Sequence, residues 1–257
     1  MKQLRTYIFI INIFCSLSLL AQNQTAKEET AETKTDSVSY DQRYGLRAGI
    51  DIARLVRSFT DDNYQGLEIV ADYRLSHRWY LAGEIGSEEK TTDEDWYNFT
   101  TKGNYIKAGF DWNAYNNWYG MENIISAGFR YGFSTFSQNI NSYTPSTNDP
   151  FWNEELLTGS NEDILGEHSG LSAHWIELVM ALKVELFHNV YMGASVRLNK
   201  MITDKEPSNF DNLWVPGFNK VTDGSSFGVG YNYSISYLIP LYKKTKKPNF
   251  DKNSEED

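Results

Sequence analysis

The sequence predicts an all-β chain, an eight-stranded antiparallel up-and-down transmembrane β-barrel. The first observation behind this is the stretch His174–Met201, HWIELVMALKVELFHNVYMGASVRLNKM. Ile176, Leu178, Met180, Leu182, Val184 and Leu186 alternate with Glu177, Val179, Ala181, Lys183 and Glu185, setting an apolar face against a charged or small one. Period-two alternation belongs to a strand, because on a helix every second residue would scatter over all sides. After Phe187-His188-Asn189 the pattern resumes. Met192, Ala194, Val196 and Leu198 take one face, and Gly193, Ser195, Arg197 and Asn199 the other. Each limb has about ten residues, enough for a tilted strand to cross a bilayer. The second observation is the sorting of connections. Short turns at Ser76–Arg78, Asn113–Asn117 and Phe187–Asn189 alternate with long connections after the first, third, fifth and seventh strands. Outer-membrane barrels have short periplasmic turns, long outer loops and an even strand number, whereas a soluble sandwich has no reason to sort its loops. The third is aromatic placement. Trp79 and Tyr80, then Trp112, Tyr115, Trp118 and Tyr119, then Phe187 and Tyr191 flank the short turns, and Tyr237 and Tyr242 end the last strand. Amphipathic rings at one level suit a headgroup interface.

The chain begins with a signal peptide over residues 1–22. Lys2 and Arg5 make the basic start, Tyr7–Leu20 the apolar run, and Ala21-Gln22 the cleavage region. The sole cysteine, Cys15, follows Phe14, where a lipoprotein signal needs a small residue, so lipidation is rejected and the mature chain has no thiol. Residues 23–43, rich in Thr, Glu, Lys and Ser, read as a disordered periplasmic linker. The barrel is expected over residues 44–242, and a disordered charged tail over 243–257.

Within the barrel, strand one is Tyr44–Ala53, with Tyr44, Leu46, Ala48, Ile50 and Ile52 outward and Gly45, Arg47, Gly49 and Asp51 inward. A connection through Asp61-Asp62-Asn63 leads to strand two, Gly66–Leu75. Its Leu67, Ile69, Ala71 and Tyr73 oppose Glu68, Val70, Asp72 and Arg74. Strand three is Trp79–Gly86, with Leu81 and Ile85 against Ala82 and Glu84. A polar loop, Ser87–Gly103, precedes strand four, Asn104–Trp112, whose Ile106, Ala108 and Phe110 oppose Lys107, Gly109 and Asp111. Strand five is Trp118–Ser134, with Ile125, Ala127, Phe129, Tyr131 and Phe133 against Ser126, Gly128, Arg130 and Gly132. The longest loop, Thr135–Gly170, carries the breakers Pro145 and Pro150. Strands six and seven are the hairpin already described. A loop, Thr203–Ser225, then leads to strand eight, Ser226–Leu241, with Phe227, Val229, Tyr231, Tyr233, Ile235, Tyr237 and Ile239 on one face.

Composition narrows the function. Aromatics make up 15% of the chain. A mean hydropathy of -0.52 excludes a helical membrane bundle, but not a barrel whose strands are apolar on one face only. Beyond the signal no apolar stretch is long enough for a membrane helix, so any crossing is by strands. A formal net charge of -10 argues against broad nucleic-acid binding.

The best-defined constellation is the inward charge. Arg47, Arg74, Lys107, Arg130, Lys183 and Arg197 face Asp51, Glu68, Asp72, Glu84, Asp111, Glu122, Glu177 and Glu185. Eight strands enclose little more than their own side chains, so these groups are expected to pair and plug the lumen. Inward Gly45, Gly49, Gly109, Gly128, Gly132 and Gly193 make room for long side chains, and Arg130 and Glu177 are expected to pair across it. His77 and His188 fall in turns, where solvation is the simple reading. His168 and His174 lie near the outer rim with Asp163, Glu167 and Ser172, a set a rim hydrolase would use. Ser172 and His174, however, share the outward parity, and the two histidines lack zinc-ligand spacing. The acidic run Glu88–Asp95 has oxygens for calcium but no EF-hand order, and reads as a solvated loop. No catalytic, metal or cofactor-binding residue is assigned, and no cofactor is expected.

The whole pattern from about Tyr44 to Tyr242 resembles the small eight-stranded outer-membrane barrels of Gram-negative bacteria, of OmpA/OmpX type. LLAQ, the repeated inward Gly and HWIELVMALKVELFHNVYMGASVRLNK resemble a barrel family of Bacteroidota, and ISYLIPLY resembles a barrel-assembly signal. The resemblance implies a fold and a location: the cell outer membrane, with loops extracellular and both termini periplasmic. It carries over no catalytic residue. The expectation is a non-enzymatic protein with a plugged lumen, a structural or partner-binding component of the membrane. Its expected partners are outer-membrane lipid and a larger outer-membrane protein assembly, not nucleic acid. A rim hydrolase acting on lipid or peptide and a small-solute porin are the alternatives.

Overall fold

The computed structural model describes residues 40–94, 97–115, 122–143, 164–207, 210–218 and 226–246. Eight antiparallel strands close into one barrel in sequence order, so the all-β, up-and-down fold is as the alternation predicts. The strands are β1 Tyr40–Asp51, β2 Tyr64–Arg74, β3 Trp79–Asp93, β4 Tyr97–Asn113, β5 Ile124–Tyr143, β6 Gly166–Phe187, β7 Val190–Lys205 and β8 Phe227–Lys246. The signal peptide, linker residues 23–39 and the tail from 247 lie outside the described residues. β1 starts inside the expected linker, and β8 continues past the expected end of the barrel.

The wall is taller than the sequence reading allowed. The expected acidic loop is largely a hairpin, since β3 runs to Asp93 and β4 starts at Tyr97. β5 and β6 likewise extend into the expected long loop. The boundaries were drawn where outward apolar residues stop, but the hydrogen-bond ladder does not stop there. Ser87 pairs with Leu67 and Asn104, Asn104 with Thr135, and Thr135 with Ser172. These neighbours form one line across β3 to β6. Below it the outer face carries Ile85, Ile106, Tyr131 and Leu178, all exposed. Above it the outer face carries Glu89, Lys102, Ser137 and Asn139.

The inside is sorted less sharply. Charge dominates below the line, although buried Glu88 stands one residue above it. An apolar core of Tyr105, Phe136, Leu171, Ala173 and Trp175 straddles the line, with Phe136 and Leu171 just above it and Tyr105, Ala173 and Trp175 below, and is closed by Val215 and Phe218 from the β7–β8 connection. A second cluster joins Phe99 and Ile140, both above the line, to Trp214. Above the line the wall is thus polar outside and largely apolar inside, as in a water-soluble protein. Inward glycines make it possible. A Cβ at Gly132 would strike the Trp175 ring, and one at Gly86 or Gly217 the Tyr105 ring. Gly217 also has φ +81, which a side chain would strain.

The connections are less regularly sorted than expected. The β6–β7 turn is His188-Asn189 alone, with Asn189 at φ 66, a left-handed conformation that asparagine adopts more readily than most side chains. The β3–β4 connection, however, shrinks to residues 94–96, while the β4–β5 connection widens to 114–123.

Part of the expected aromatic girdle points the wrong way. Trp79, Trp112, Phe187 and Tyr237 are on the outside, but Tyr44, Tyr80 and Tyr191 are buried, and the half-exposed Tyr242 stacks on Tyr44 with ring centroids 5.2 Å apart. Tyr80 and Tyr191 follow strict alternation beside outward Trp79 and Met192. Tyr44 is turned inward by a bulge between Tyr44 and Gly45 on the β1–β8 seam. Trp118 and Tyr119 lie outside the described residues.

One element was missed altogether. Past Asp51 the chain leaves the wall as helix α1, Ile52–Thr60. Asp51 ends the strand and caps the helix, its carboxylate accepting from Ala53 N at 2.8 Å. β1 therefore pairs with β8 only as far as Ser234, and with β2 only as far as Ile69. Above that point α1 fills the space between β8 and β2.

Candidate functional site: the charged lumen

Period-two alternation brings thirteen of the fourteen expected charges to the inner face, Glu122 lying in the connection just before β5, and packing sorts them into tiers. At the centre are Glu84, Glu177 and Glu68, held by Lys107 and Arg197. The Arg197 guanidinium donates two bonds to Glu84, at 2.5 and 3.1 Å, and reaches Glu177 at 3.3 Å. Lys107 Nζ lies 3.1 Å from Glu177, 3.6 Å from Glu84 and 3.8 Å from Glu68. Neutral donors complete the shell: Tyr105 O–H to Glu68 at 2.6 Å, Asn232 to Glu68 at 2.9 Å and Trp175 Nε1 to Glu177 at 2.7 Å. Every one of these carboxylates is buried.

Beside this centre Arg130 pairs with Asp111 at 2.7 Å and lies 3.6 Å from Glu84. Arg130 and Glu177 are register neighbours, yet each pairs elsewhere, which corrects the expected pairing between them. Two fixed acceptors, the carbonyls of Phe110 and Phe129 at 3.0 Å, hold the Arg130 guanidinium toward Asp111. Arg47 grips Asp72 through Nη2 at 2.7 Å and Nε at 3.0 Å, and Lys183 reaches the same carboxylate at 2.7 Å. The Arg47 cation also lies 4.7 Å from the centre of the Tyr191 ring, which explains why that tyrosine is inside.

The lower tier contains Arg74, Glu185 and Glu122. Arg74 lies over Tyr44 at 4.6 Å and is 3.9 Å from Glu122. Glu185 pairs with Arg43 at 2.6 Å. Arg43 was missed because it falls in the stretch read as linker. The upper tier contains Asp51 and Glu68 with two more missed residues, Arg54 of α1 and Glu88 of β3. Arg54 reaches Asp51 at 3.2 Å and Glu68 at 3.3 Å, and contacts Glu88. Glu88 also accepts from Tyr64 O–H at 2.5 Å and from Gly217 N at 2.8 Å, which ties the β7–β8 connection to the wall. Glu88 therefore leaves the proposed acidic surface run. Glu89, its neighbour, pairs on the outside with Lys102 at 2.9 Å, and Asp95 lies outside the described residues. The signal for Glu88 was there: Glu84, Gly86 and Glu88 keep one parity.

Water has little room in this interior. The central cavity, lined by Arg47, Asp72, Glu84, Arg130, Lys183 and Arg197 among others, has a volume of about 40 Å³. That holds isolated waters, not a continuous column.

The histidines do not converge. His174 stands on the outer wall, its Nδ1 2.8 Å from the Tyr131 hydroxyl and its ring 4.6 Å from that of Phe133. His168 bonds the Ile164 carbonyl at 2.9 Å and meets Phe210 edge-on. Asp163 lies outside the described residues. His77 bonds Gln42 at 3.1 Å, and His188 lies 3.4 Å from Arg43, so both turn histidines have partners. Among the described residues no three His, Cys, Asp or Glu side chains are grouped to hold a metal ion.

No curated protein matches the chain. Among solved structures it is similar to the crystal structure of Ail, the attachment invasion locus protein of Yersinia pestis, at 9% identity and a TM-score of 0.37, over 76% of this chain and 97% of that one. A likeness so distant carries no argument about function. A family model described as a domain of unknown function, DUF6048, matches residues 6–244, nearly the whole chain, and the chain belongs to that family.

Proposed function

We propose that this protein is a non-enzymatic outer-membrane barrel with a plugged lumen, a structural or accessory component that offers its upper wall and its terminal arms to a partner in a larger assembly. The observation that carries this reading is the double inversion of the wall. Leu67, Ile69, Leu81, Ile85, Ile106, Leu178, Leu182, Val196 and Ile235 are all exposed on the outside. Behind them are buried, mutually paired charges. Water would penalise that outer face and hydrocarbon rewards it. A porin is disfavoured by the small central cavity, and a rim hydrolase by the separation of His168 from His174.

Leu182→Arg tests the membrane assignment. Leu182 is exposed and paired across the wall with Ile125 and Ala194. A charge there, near the middle of the belt, should lower stability in bilayers by about 2–4 kcal/mol. The measurement is a urea-unfolding midpoint in lipid vesicles. An effect no larger than that of Thr135→Arg, on the polar outer face, would remove the membrane reading.

Orientation follows from placing both termini in the periplasm. A peptide tag inserted between β5 and β6 should be labelled by antibody on intact cells, and a tag appended after Asp257 only after permeabilisation. The opposite pattern would reverse the orientation.

A further inference from the structure

We infer that α1 is a lipid-seated wedge: a helix that closes a notch in the barrel wall with its polar face and presents its apolar stripe to the acyl chains of the surrounding membrane. The inference rests on the membrane reading above and goes beyond it.

The notch comes from the register. β1 leaves the sheet at Asp51, so β8 above Ser234 has a strand neighbour only in β7, and β2 before Ile69 only in β3. In hydrocarbon an unpaired strand edge is costly, because no water is present to bond its backbone. α1 stands at this place. A helix satisfies its own backbone, which makes it a suitable filler for a gap in a membrane wall.

The helix is mounted in the reverse of the usual sense. In IARLVRSFT, Ile52, Leu55, Val56 and Phe59 fall at i, i+3, i+4 and i+7 and form one stripe. A soluble protein would turn that stripe to its core, yet no residue of α1 is buried, and Phe59 is 87% exposed. The polar face holds the helix to the barrel. Arg54 enters the upper tier of the lumen. Ser58 Oγ accepts from Gly66 N at 2.8 Å, and Arg57 lies 4.0 Å over the Tyr64 ring.

The occupant follows from continuity. On the β2 flank α1 is seated on Tyr64 and Gly66, at the upper margin of the belt, and the outward residues just below are Leu67 and Ile69; on the β8 flank they are Val229, Tyr231 and Tyr233, all exposed. These belong to the apolar belt on both sides of the notch. A polar helix face there would cut the belt short, and the stripe of α1 continues its upper margin. A short amphipathic helix with Phe and Leu on one side and Arg on the other suits the headgroup and acyl boundary. The 140 Å³ cleft between α1 and β8, lined by Arg54, Arg57, Tyr64, Glu88 and Tyr231, lies directly behind the wedge.

The test is nitroxide accessibility in the full-length protein. Cys15 is replaced by Ser, and single cysteines are introduced at Phe59, Leu182 or Lys102. The labelled proteins are reconstituted in phosphatidylcholine and phosphatidylglycerol vesicles. Folding is checked by near-ultraviolet circular dichroism, which the exposed Phe59 position should leave unchanged. The expected result is that the Phe59 label, like the Leu182 label, relaxes with oxygen and resists a water-soluble nickel complex, while the Lys102 label does the reverse. A Phe59 label that behaves like Lys102, with Leu182 still in lipid, overturns the wedge and leaves the membrane reading standing. A Phe59 label shielded from both reagents means that protein covers the stripe, and also overturns it. If Leu182 too is aqueous, both readings fall together.

Discussion

Lys107→Met should lower the stability of the folded barrel by about 3–5 kcal/mol, the usual loss when one member of a buried charge network is removed. Lys107 is 1% exposed, and its ammonium is shared by three carboxylates, Glu68, Glu84 and Glu177. Methionine keeps the length and volume of the stem, so the change removes charge with little loss of packing. Arg197 then carries most of the compensation, helped by Arg54 at Glu68 and Arg130 beside Glu84. The measurement is the thermal transition in detergent, compared with Lys183→Met. Lys183 reaches Asp72 at a more open position, and that carboxylate keeps Arg47, so the loss there should be smaller. Planar-bilayer recordings of the same proteins give the second readout. Neither the parent nor Lys107→Met should conduct steadily, because the interior is filled with side chains rather than held open by one ion pair. Sustained openings in the parent would overturn the plugged lumen.

Trp175→Ala is expected to cost about 3–5 kcal/mol, the range for emptying a buried aromatic site. Trp175 has no exposed surface, packs against Phe218 with ring centroids 5.9 Å apart and lies over Gly132. The cavity left behind would lie beneath the β7–β8 connection and loosen Val215 and Phe218 together. Trp175→Phe separates packing from polarity. It keeps most of the ring but removes the indole N–H that donates to Glu177, so the expected loss is about 1–3 kcal/mol. Chemical-denaturation midpoints in detergent distinguish the two. Equal effects would mean that the Glu177 bond, not the packing, dominates at this position.

The barrel itself was legible because a two-sided wall leaves a two-sided sequence. Wherever Leu178, Met180 and Leu182 alternate with Glu177, Val179 and Lys183, parity assigns the face, and the lumen charges follow. Legibility failed where the outside ceased to be apolar. Ser87, Glu89 and Thr91 look like loop residues when apolarity is taken as the mark of a strand, although Glu84, Gly86 and Glu88 keep the inward beat. Tyr105, Phe136 and Trp175 sit on the inward parity too. Each lies beside an inward glycine, a pattern that could have disclosed the upper core. The pairing of particular charges was not legible. Arg130 and Glu177 are adjacent in register, and only the three-dimensional reach of Arg197, Lys107 and the Phe110 and Phe129 carbonyls decides that they part. The helix was hidden by its shortness and by its inside-out amphipathicity.

In the membrane setting proposed above, the line through Ser87, Asn104, Thr135 and Ser172 also gives the molecule a draught, as the loading mark does for a hull. Raising it by two residues, about 7 Å along the strands, would lift Ile85 and Ile106 out of hydrocarbon. Sinking it by the same step would drag Ser87, Asn104 and then the Glu89–Lys102 pair into it. Both displacements are unfavourable, so the vertical position is a minimum set by side chains. A stiff closed sheet cannot shorten to suit a thinner or thicker membrane. Where the bilayer and this mark disagree, it is the lipid next to the wall that must stretch or compress.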